Sequence, residues 1–258
     1  MVTINNNFKL GKEMKQPHIN CSKEDIHPRV IICGDPARVE RIAEFGTNYK
    51  FISSNREFTV YETIYNNLPY TICSTGIGGP STAIAIEELV RCGAQAIIRV
   101  GSAGSLQNNI NNGSLVIAEG AVRQEGTSKM YVEPQYPAIS DTDLIVNLKS
   151  FLNKVDINYH SGIIFTHDSF YTDHEEEICK KWSNLGILAK EMEAATLLTL
   201  ARLRKIKAAA ILTVVVEFSA NKEDGINNYK DLNDKLLRSE HAATEAAFYA
   251  LSQINFTN

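Results

Sequence analysis

The amino-acid sequence predicts an α/β fold, a single-domain three-layer sandwich around a mixed central sheet. Three observations lead there. Short apolar, β-branched runs alternate with segments of helical periodicity along the chain. Central runs such as Ala96-Ile97-Ile98-Arg99-Val100 are almost continuously apolar, which suits strands covered on both faces. No linker rich in Pro, Gly or Ser divides the 258 residues, so one domain is expected over 18–258, preceded by an extension over 1–17.

In chain order, strands are expected at Val30–Cys33, Phe58–Tyr65, Tyr70–Ser74, Ala96–Val100, Ser114–Val122, Ser161–Thr166 and Ala209–Val216. Helices are expected at Pro36–Phe45, Pro80–Cys92, Thr142–Lys154, Glu175–Leu185, Met192–Arg204 and Asp234–Gln253, where apolar residues recur at helical spacing. Pro36 and Pro80 fit a first helical turn, where a missing N–H costs nothing. Tyr61–Tyr65 and Tyr70–Ser74 flank Asn66-Asn67-Leu68-Pro69 and read as a β-hairpin. The polar stretch Ser219–Asp234 reads as a long surface loop, a length often found in functional lids.

Composition removes several classes of function. A net charge of -4, with no basic stripe, argues against a nucleic-acid partner. No apolar run approaches the roughly 20 residues of a membrane helix, and the Asn/Lys-rich start lacks the apolar core of a signal peptide. The five cysteines are scattered without a C-x-x-C pair, so neither a disulfide framework nor a zinc site is indicated, and a cytoplasmic location is expected. The six histidines show no ligand spacing, and no nucleophile elbow supports Ser/His/Asp catalysis.

Four motifs carry chemistry. Gly34-Asp35-Pro36-Ala37-Arg38 follows a strand and opens a helix; a helix N-terminus beside an arginine suits an anion, although Gly-Asp-Pro is also a common turn. Ser74-Thr75-Gly76-Ile77-Gly78-Gly79-Pro80-Ser81 places three glycines at a strand end, where something approaches the backbone. It fits neither the dinucleotide fingerprint nor a P-loop. Arg99, inside an apolar strand and followed by Gly101-Ser102-Ala103-Gly104, needs a compensating charge: an internal carboxylate such as Glu57, or an anionic ligand that Ser102 could also meet. Glu191-Met192-Glu193 offers two carboxylates for vicinal hydroxyls and a thioether for a sugar face, or equally an acidic helix start.

These motifs, with Asn55-Arg56-Glu57-Phe58, resemble in their order the nucleoside phosphorylase family of trimeric and hexameric enzymes, over most of the chain from about His18 onward. The resemblance implies a phosphorylase-type fold and phosphate-dependent cleavage of a ribonucleoside to free base and ribose 1-phosphate. It implies inorganic phosphate as co-substrate with no required cofactor, and a homo-oligomer: a dimer, a trimer of dimers or a hexamer. Gly34, Arg38, Arg99 and Ser102 would hold phosphate, with Arg56 entering from a neighbouring subunit. Met192 and Glu193 would bind the ribose, with His18 from the neighbour on its 5′-hydroxyl. Phe170 would stack on the base, with His174 and Glu191 beside it. Glu57, Ile77 and Ser81 match the positions that hold a potassium ion between subunits of the uridine enzymes.

The base itself is left open. The Gly-rich turn with Ala85-Ile86-Glu87-Glu88-Leu89, and Ser239-Glu240-His241-Ala242, are similar to uridine phosphorylases. Pro17-His18-Ile19-Asn20 and Thr199-Leu200-Ala201-Arg202-Leu203-Arg204-Lys205 are similar to purine nucleoside phosphorylases. The Gln-x-Arg pair that reads uracil is absent after Phe170-Tyr171. Val216 stands where the purine enzymes keep an aspartate, which leaves Glu217 as the one candidate acid. Asp173, His174, Glu175 and Glu217 are the polar groups expected at the base. Uridine-type specificity is placed first, purine nucleosides second, and a non-catalytic nucleoside-binding member third.

Overall fold

The computed structural model describes residues 14–218 and 234–256. The expected lid over Ser219–Asp234 and most of the 1–17 extension fall outside the described residues.

Strand β1 (Arg29–Cys33) leads into helix α1 (Pro36–Ala43). The Asp35 carboxylate caps α1 by accepting from Ala37 N at 2.9 Å, and Pro36 takes the first turn as its fixed φ allows. Strands β2 (Thr47–Asn55), β3 (Phe58–Tyr65) and β4 (Leu68–Ser74) follow as an antiparallel run. The hairpin between β3 and β4 is tighter than its sequence suggests. Asn66 and Asn67 alone form the turn, both at positive φ (50° and 63°), while Leu68 and Pro69 already pair with Tyr65 and Ile64. Asparagine tolerates that left-handed conformation, which matches the twist of the flanking strands.

Helix α2 (Gly79–Arg91) precedes β5 (Ala96–Ser105) and β6 (Leu115–Arg123). Next come a two-residue β7 (Ala138–Ile139), α3 (Thr142–Lys154), β8 (Tyr159–Thr166) and α4 (Glu175–Asn184). The chain closes with β9 (Ala189–Glu191), α5 (Ala194–Leu203), β10 (Lys207–Val216) and α6 (Asp234–Ser252).

The sheet is mixed, as expected, and runs β10-β6-β8-β9-β5-β1-β4-β3-β2. Strand β10 also pairs in parallel with β5, so β5, β10, β6, β8 and β9 close into a ring. One face packs Val39 and Ile42 of α1, Leu144, Leu148 and Leu152 of α3, and Ala243, Ala247 and Leu251 of α6 against Ile31, Ile98 and Ile211. The other face packs Ile86 and Leu89 of α2 and Leu197 and Leu200 of α5 against Val30, Ile32 and Ile97. These are the two helical layers, and burial of their apolar stripes is the main force that holds them to the sheet. Among the described residues no helix is long and apolar enough to cross a membrane.

Candidate active site

Ligands of open α/β sheets bind beyond the carboxyl ends of the strands, and the chemistry-bearing motifs gather there. The loop after β1 and the turn after β4 run side by side. Thr75 N donates to Cys33 O at 2.8 Å, and a Cβ on Gly34 would stand 3.3 Å from Gly76 O. Gly76 (φ 69°) and Gly78 (φ 92°) lie in the left-handed region that favours glycine. A Cβ on Gly76 would also meet Glu57 Cγ at 2.8 Å, so this turn is shaped by close approach as well as by conformation.

Arg99 leaves the middle of β5 only 3% exposed. Its Nε donates to Glu191 Oε2 at 3.2 Å and its Nη2 to Glu193 Oε2, while Nη1 is buried with no hydrogen-bond partner among the described residues. The compensating charges are therefore Glu191 and Glu193; Glu57 packs on Gly76 instead. Burial would lower the Arg99 pKa, and the Glu193 and Glu191 carboxylates more than reverse that, so the guanidinium stays charged. A buried donor without a partner costs about 1–3 kcal/mol, which an anion at Nη1 would remove.

The two glutamates have different work. Glu191 Oε1 accepts from Thr166 Oγ1 at 2.5 Å and Ala194 N at 3.0 Å, and Oε2 from Glu193 N at 2.8 Å as well as from Arg99. Its oxygens thus hold the start of α5, its backbone neighbours and the arginine. The expectation of Glu191 as a base contact finds no unengaged oxygen, because the carboxylate is spent on that frame. Glu193, 4% exposed, accepts from Gly78 N at 2.6 Å and from Arg99, so the Gly-rich turn, β5 and the start of α5 meet at one carboxylate. Burial pushes the Glu193 carboxyl above its ordinary pKa against the pull of Arg99. Met192, between them, is half-buried.

Arg38 of α1 is 3% exposed, with Nη1 3.4 Å from Val100 O and Nε 3.5 Å from Glu240 Oε2 of α6. Ser102, half-buried on β5, pairs through its backbone with β10, and its hydroxyl makes no hydrogen bond among the described residues. Glu57 and Ser81 come together around Gly76, whose Cβ position lies 3.5 Å from Ser81 Oγ; that hydroxyl donates to Ile77 O at 3.2 Å.

His18 and Arg56 make no hydrogen bond or ion pair with Arg99, Glu191 or Glu193 among the described residues, but lie close to each other. His18 Nδ1 is 2.7 Å from Glu88 Oε1 of α2, and its carbonyl accepts from Asn55 Nδ2 at 2.8 Å. Arg56, next in sequence, tops the β2–β3 turn at φ 55°, exposed and without an ion pair among the described residues.

Three further residues were expected near the base: Phe170, His174 and Glu217. Phe170 is half-buried against the edge of Tyr171 (centroids 4.9 Å apart). His174 is exposed before α4, with Nδ1 4.0 Å from Glu177 Oε2. Glu217 is exposed beyond β10 and accepts from Asn112 N at 2.9 Å. A cavity of about 310 Å³ opens instead at the ends of β6, β8 and β9, lined among others by Gln124, His167, Glu175, Trp182 and Lys190. Sequence reasoning named Glu175 but not Lys190, which lines the same cavity. Among the described residues no group of three or more His, Cys, Asp or Glu is placed to hold a metal.

Comparison with known proteins agrees with this layout. Residues 28–252 match the family model described as the phosphorylase superfamily. A guanosine phosphorylase of Halorubrum lacusprofundi is 40% identical over 86% of this chain and 91% of its own. The crystal structure of uridine phosphorylase from Vibrio fischeri ES114 superposes with a TM-score of 0.88 at 42% identity, covering 93% of this chain and 98% of that one. Purine nucleoside phosphorylase from Toxoplasma gondii, in complex with immucillin-H, gives 0.82 at 30% identity over 94% and 97%. With the family model spanning nearly the whole sheet and its helices, the chain belongs to the phosphorylase superfamily, as an enzyme of the nucleoside phosphorylase type.

Proposed function

We infer that this enzyme cleaves the N-glycosidic bond of ribonucleosides with inorganic phosphate, uridine first, releasing the base and ribose 1-phosphate. The observation that carries this is Arg99: a sealed guanidinium with one nitrogen unpartnered, held beside the Glu193 carboxylate. Phosphate at Nη1 and a ribose at Glu193 then lie next to each other. Gly34, Arg38 and Ser102 complete the phosphate seat, together with Arg56 of a neighbouring copy. Met192 packs under the sugar, and a neighbouring copy's His18 meets its 5′-hydroxyl. Phe170 borders the base.

As the C1′–N bond stretches, positive charge grows on the sugar. The phosphate dianion stabilises that charge and then attacks C1′, so the arginines act by positioning and electrostatics and no covalent enzyme intermediate forms. A homo-oligomer follows from this reading, since it assigns His18 and Arg56 to the site of a neighbouring copy. Hard cations take oxygen ligands, and Glu57, whose methylenes pack on Gly76, with the Ser81 hydroxyl and Ile77 carbonyl would suit a potassium ion that ties the Gly-rich turn to a neighbouring copy. Purine nucleosides are the second reading, favoured by the guanosine phosphorylase relative and by the purine nucleoside phosphorylase neighbour.

The test is base release from uridine and inosine with and without phosphate. Release should require phosphate and yield ribose 1-phosphate, and Arg99→Ala should slow turnover by about 100-fold or more, as for loss of one donor aimed at developing charge. Equal rates in phosphate-free buffer would mean a hydrolase.

A further inference from the structure

Lys190 stands in β9 one residue before the glutamate that holds Arg99, and strand alternation sends its side chain to the other face. Its stem runs over Gly104 of β5. A Cβ on that glycine would stand 3.1 Å from Lys190 Cε and 3.9 Å from Val216 Cβ. The bare glycine is what gives the stem its path. The ammonium ends against α4, paired with the Glu175 carboxylate and 3.1 Å from Cys179 Sγ, and that thiol donates to Glu175 Oε1 at 3.3 Å. Lys190 and Glu175 are 14% and 20% exposed at the side chain, and what exposure they keep faces the cavity beyond β6, β8 and β9.

A structural ion pair would account for the contact but not for its place. Lys190 sits two residues from Met192 and three from Glu193, and β9 pairs with the β5 end just beyond Ser102. The pair thus adjoins, along the chain, the residues assigned above to the ribose, and it faces a cavity able to take what that ribose carries.

An ammonium offers only donors and a carboxylate only acceptors. Side by side they match a base edge that carries a carbonyl next to a ring N–H: O4 and N3–H of uracil, or O6 and N1–H of a 6-oxopurine. Cytosine and adenine present the reverse, an amino group beside a bare ring nitrogen.

We propose that Lys190 and Glu175 read the base, Lys190 donating to its carbonyl and Glu175 accepting from the adjacent N–H. This rests on the nucleoside reading above and supplies the base recognition that its motifs lack. In the reaction the C1′–N electron pair leaves with the base and spreads onto the carbonyl oxygen facing Lys190, while a phosphate oxygen forms the new bond to C1′. The base anion then takes a proton from water. Lys190 thus meets charge as it develops.

Two measurements test the pair separately from phosphorolysis. Trp182 is the one tryptophan of the chain and lines this cavity, so its fluorescence reports a base entering. Uracil and hypoxanthine should quench it and adenine and cytosine should not, and Lys190→Met and Glu175→Gln should each weaken that binding about 10- to 100-fold, the worth of a charged hydrogen bond. With phosphate present, the same variants should lose a like factor in kcat/KM on uridine, inosine and guanosine while their ribose 1-phosphate affinity is unchanged. Lys190→Arg should restore part of the loss. Variants that melt like the parent yet bind and cleave oxo-bases as the parent does would overturn the proposal. A parent enzyme that cleaves no nucleoside would instead overturn the phosphorolysis reading, and the quenching series would still decide the base-reading pair. Should Lys190→Met fail to fold, Glu175→Gln and Lys190→Arg carry the same comparison.

Discussion

Arg99 and its two glutamates form a cluster in which one carboxylate builds and the other waits. Glu191 spends its oxygens on Thr166, the first amides of α5 and Arg99, whereas each Glu193 oxygen takes a single hydrogen bond among the described residues, from Gly78 N and from Arg99. Burial, aided by the Glu191 charge, raises the Glu193 pKa even though Arg99 opposes it. On the proposed reading the ionised form would accept hydrogen bonds from ribose hydroxyls, and protonation would remove an acceptor. Activity should therefore fall as pH drops through a value above the ~4.3 of an ordinary glutamate. Glu193→Gln has no proton to take up and should flatten the acid limb of kcat/KM while lowering its plateau; an unchanged limb in the variant would assign it to another group. At this scale the sequence showed that two acids flank a methionine, but not which one is consumed. That depends on Thr166 and Arg99, which lie 25 and 92 residues away from Glu191. Lys190 escaped notice because a lone lysine before an acidic motif reads as a solvated charge until Gly104 and Glu175 are seen around it.

Elements with strong periodicity were legible and those shaped by their neighbours were not. Helix α3 shows its stripe of Leu144, Leu148 and Leu152 in the sequence, and it packs on the alanine-rich side of α6. Leu148→Ala removes fully buried methyl groups far from Arg99, so it should cost about 2–5 kcal/mol of stability. Urea unfolding should show that loss with kcat/KM unchanged; a folded variant with damaged kcat/KM would tie this layer to the site. Strand β2 went unread because it is a mostly exposed edge, Thr47 to Asn55, without alternation. Strands β7 and β9 have two and three residues and exist through their partners alone. The outer half of β5, Gly101 to Ser105, lacks β-branched residues and is held extended by pairing to β10 and β9.

At the scale of the molecule, His18 and Arg56 come together through Asn55, and neither shares a hydrogen bond or ion pair with its own Arg99 among the described residues. If neighbouring copies complete each other's sites, Arg56→Ala and Glu193→Ala proteins, each inactive alone, should recover activity when mixed and allowed to exchange subunits. A fully active monomer by light scattering would exclude shared sites. The layered α/β class was readable from the order of elements, but the closed ring of β5, β10, β6, β8 and β9 was not, since it needs pairings across more than a hundred residues. That ring fixes β5 on both sides, with β1 and β9 along one edge and β10 along the other. Arg99 and Gly104 sit on this strand five residues apart, roughly 16 Å of extended backbone at ~3.3 Å per residue. The strand is a rigid gauge with the anion end marked at one notch and the outer pocket at another. If the outer pocket reads the base as proposed, substitutions beyond the outer notch would re-cut which base is taken without moving the inner one, and a single scaffold would exchange one base for another while the bond-breaking end stays in register.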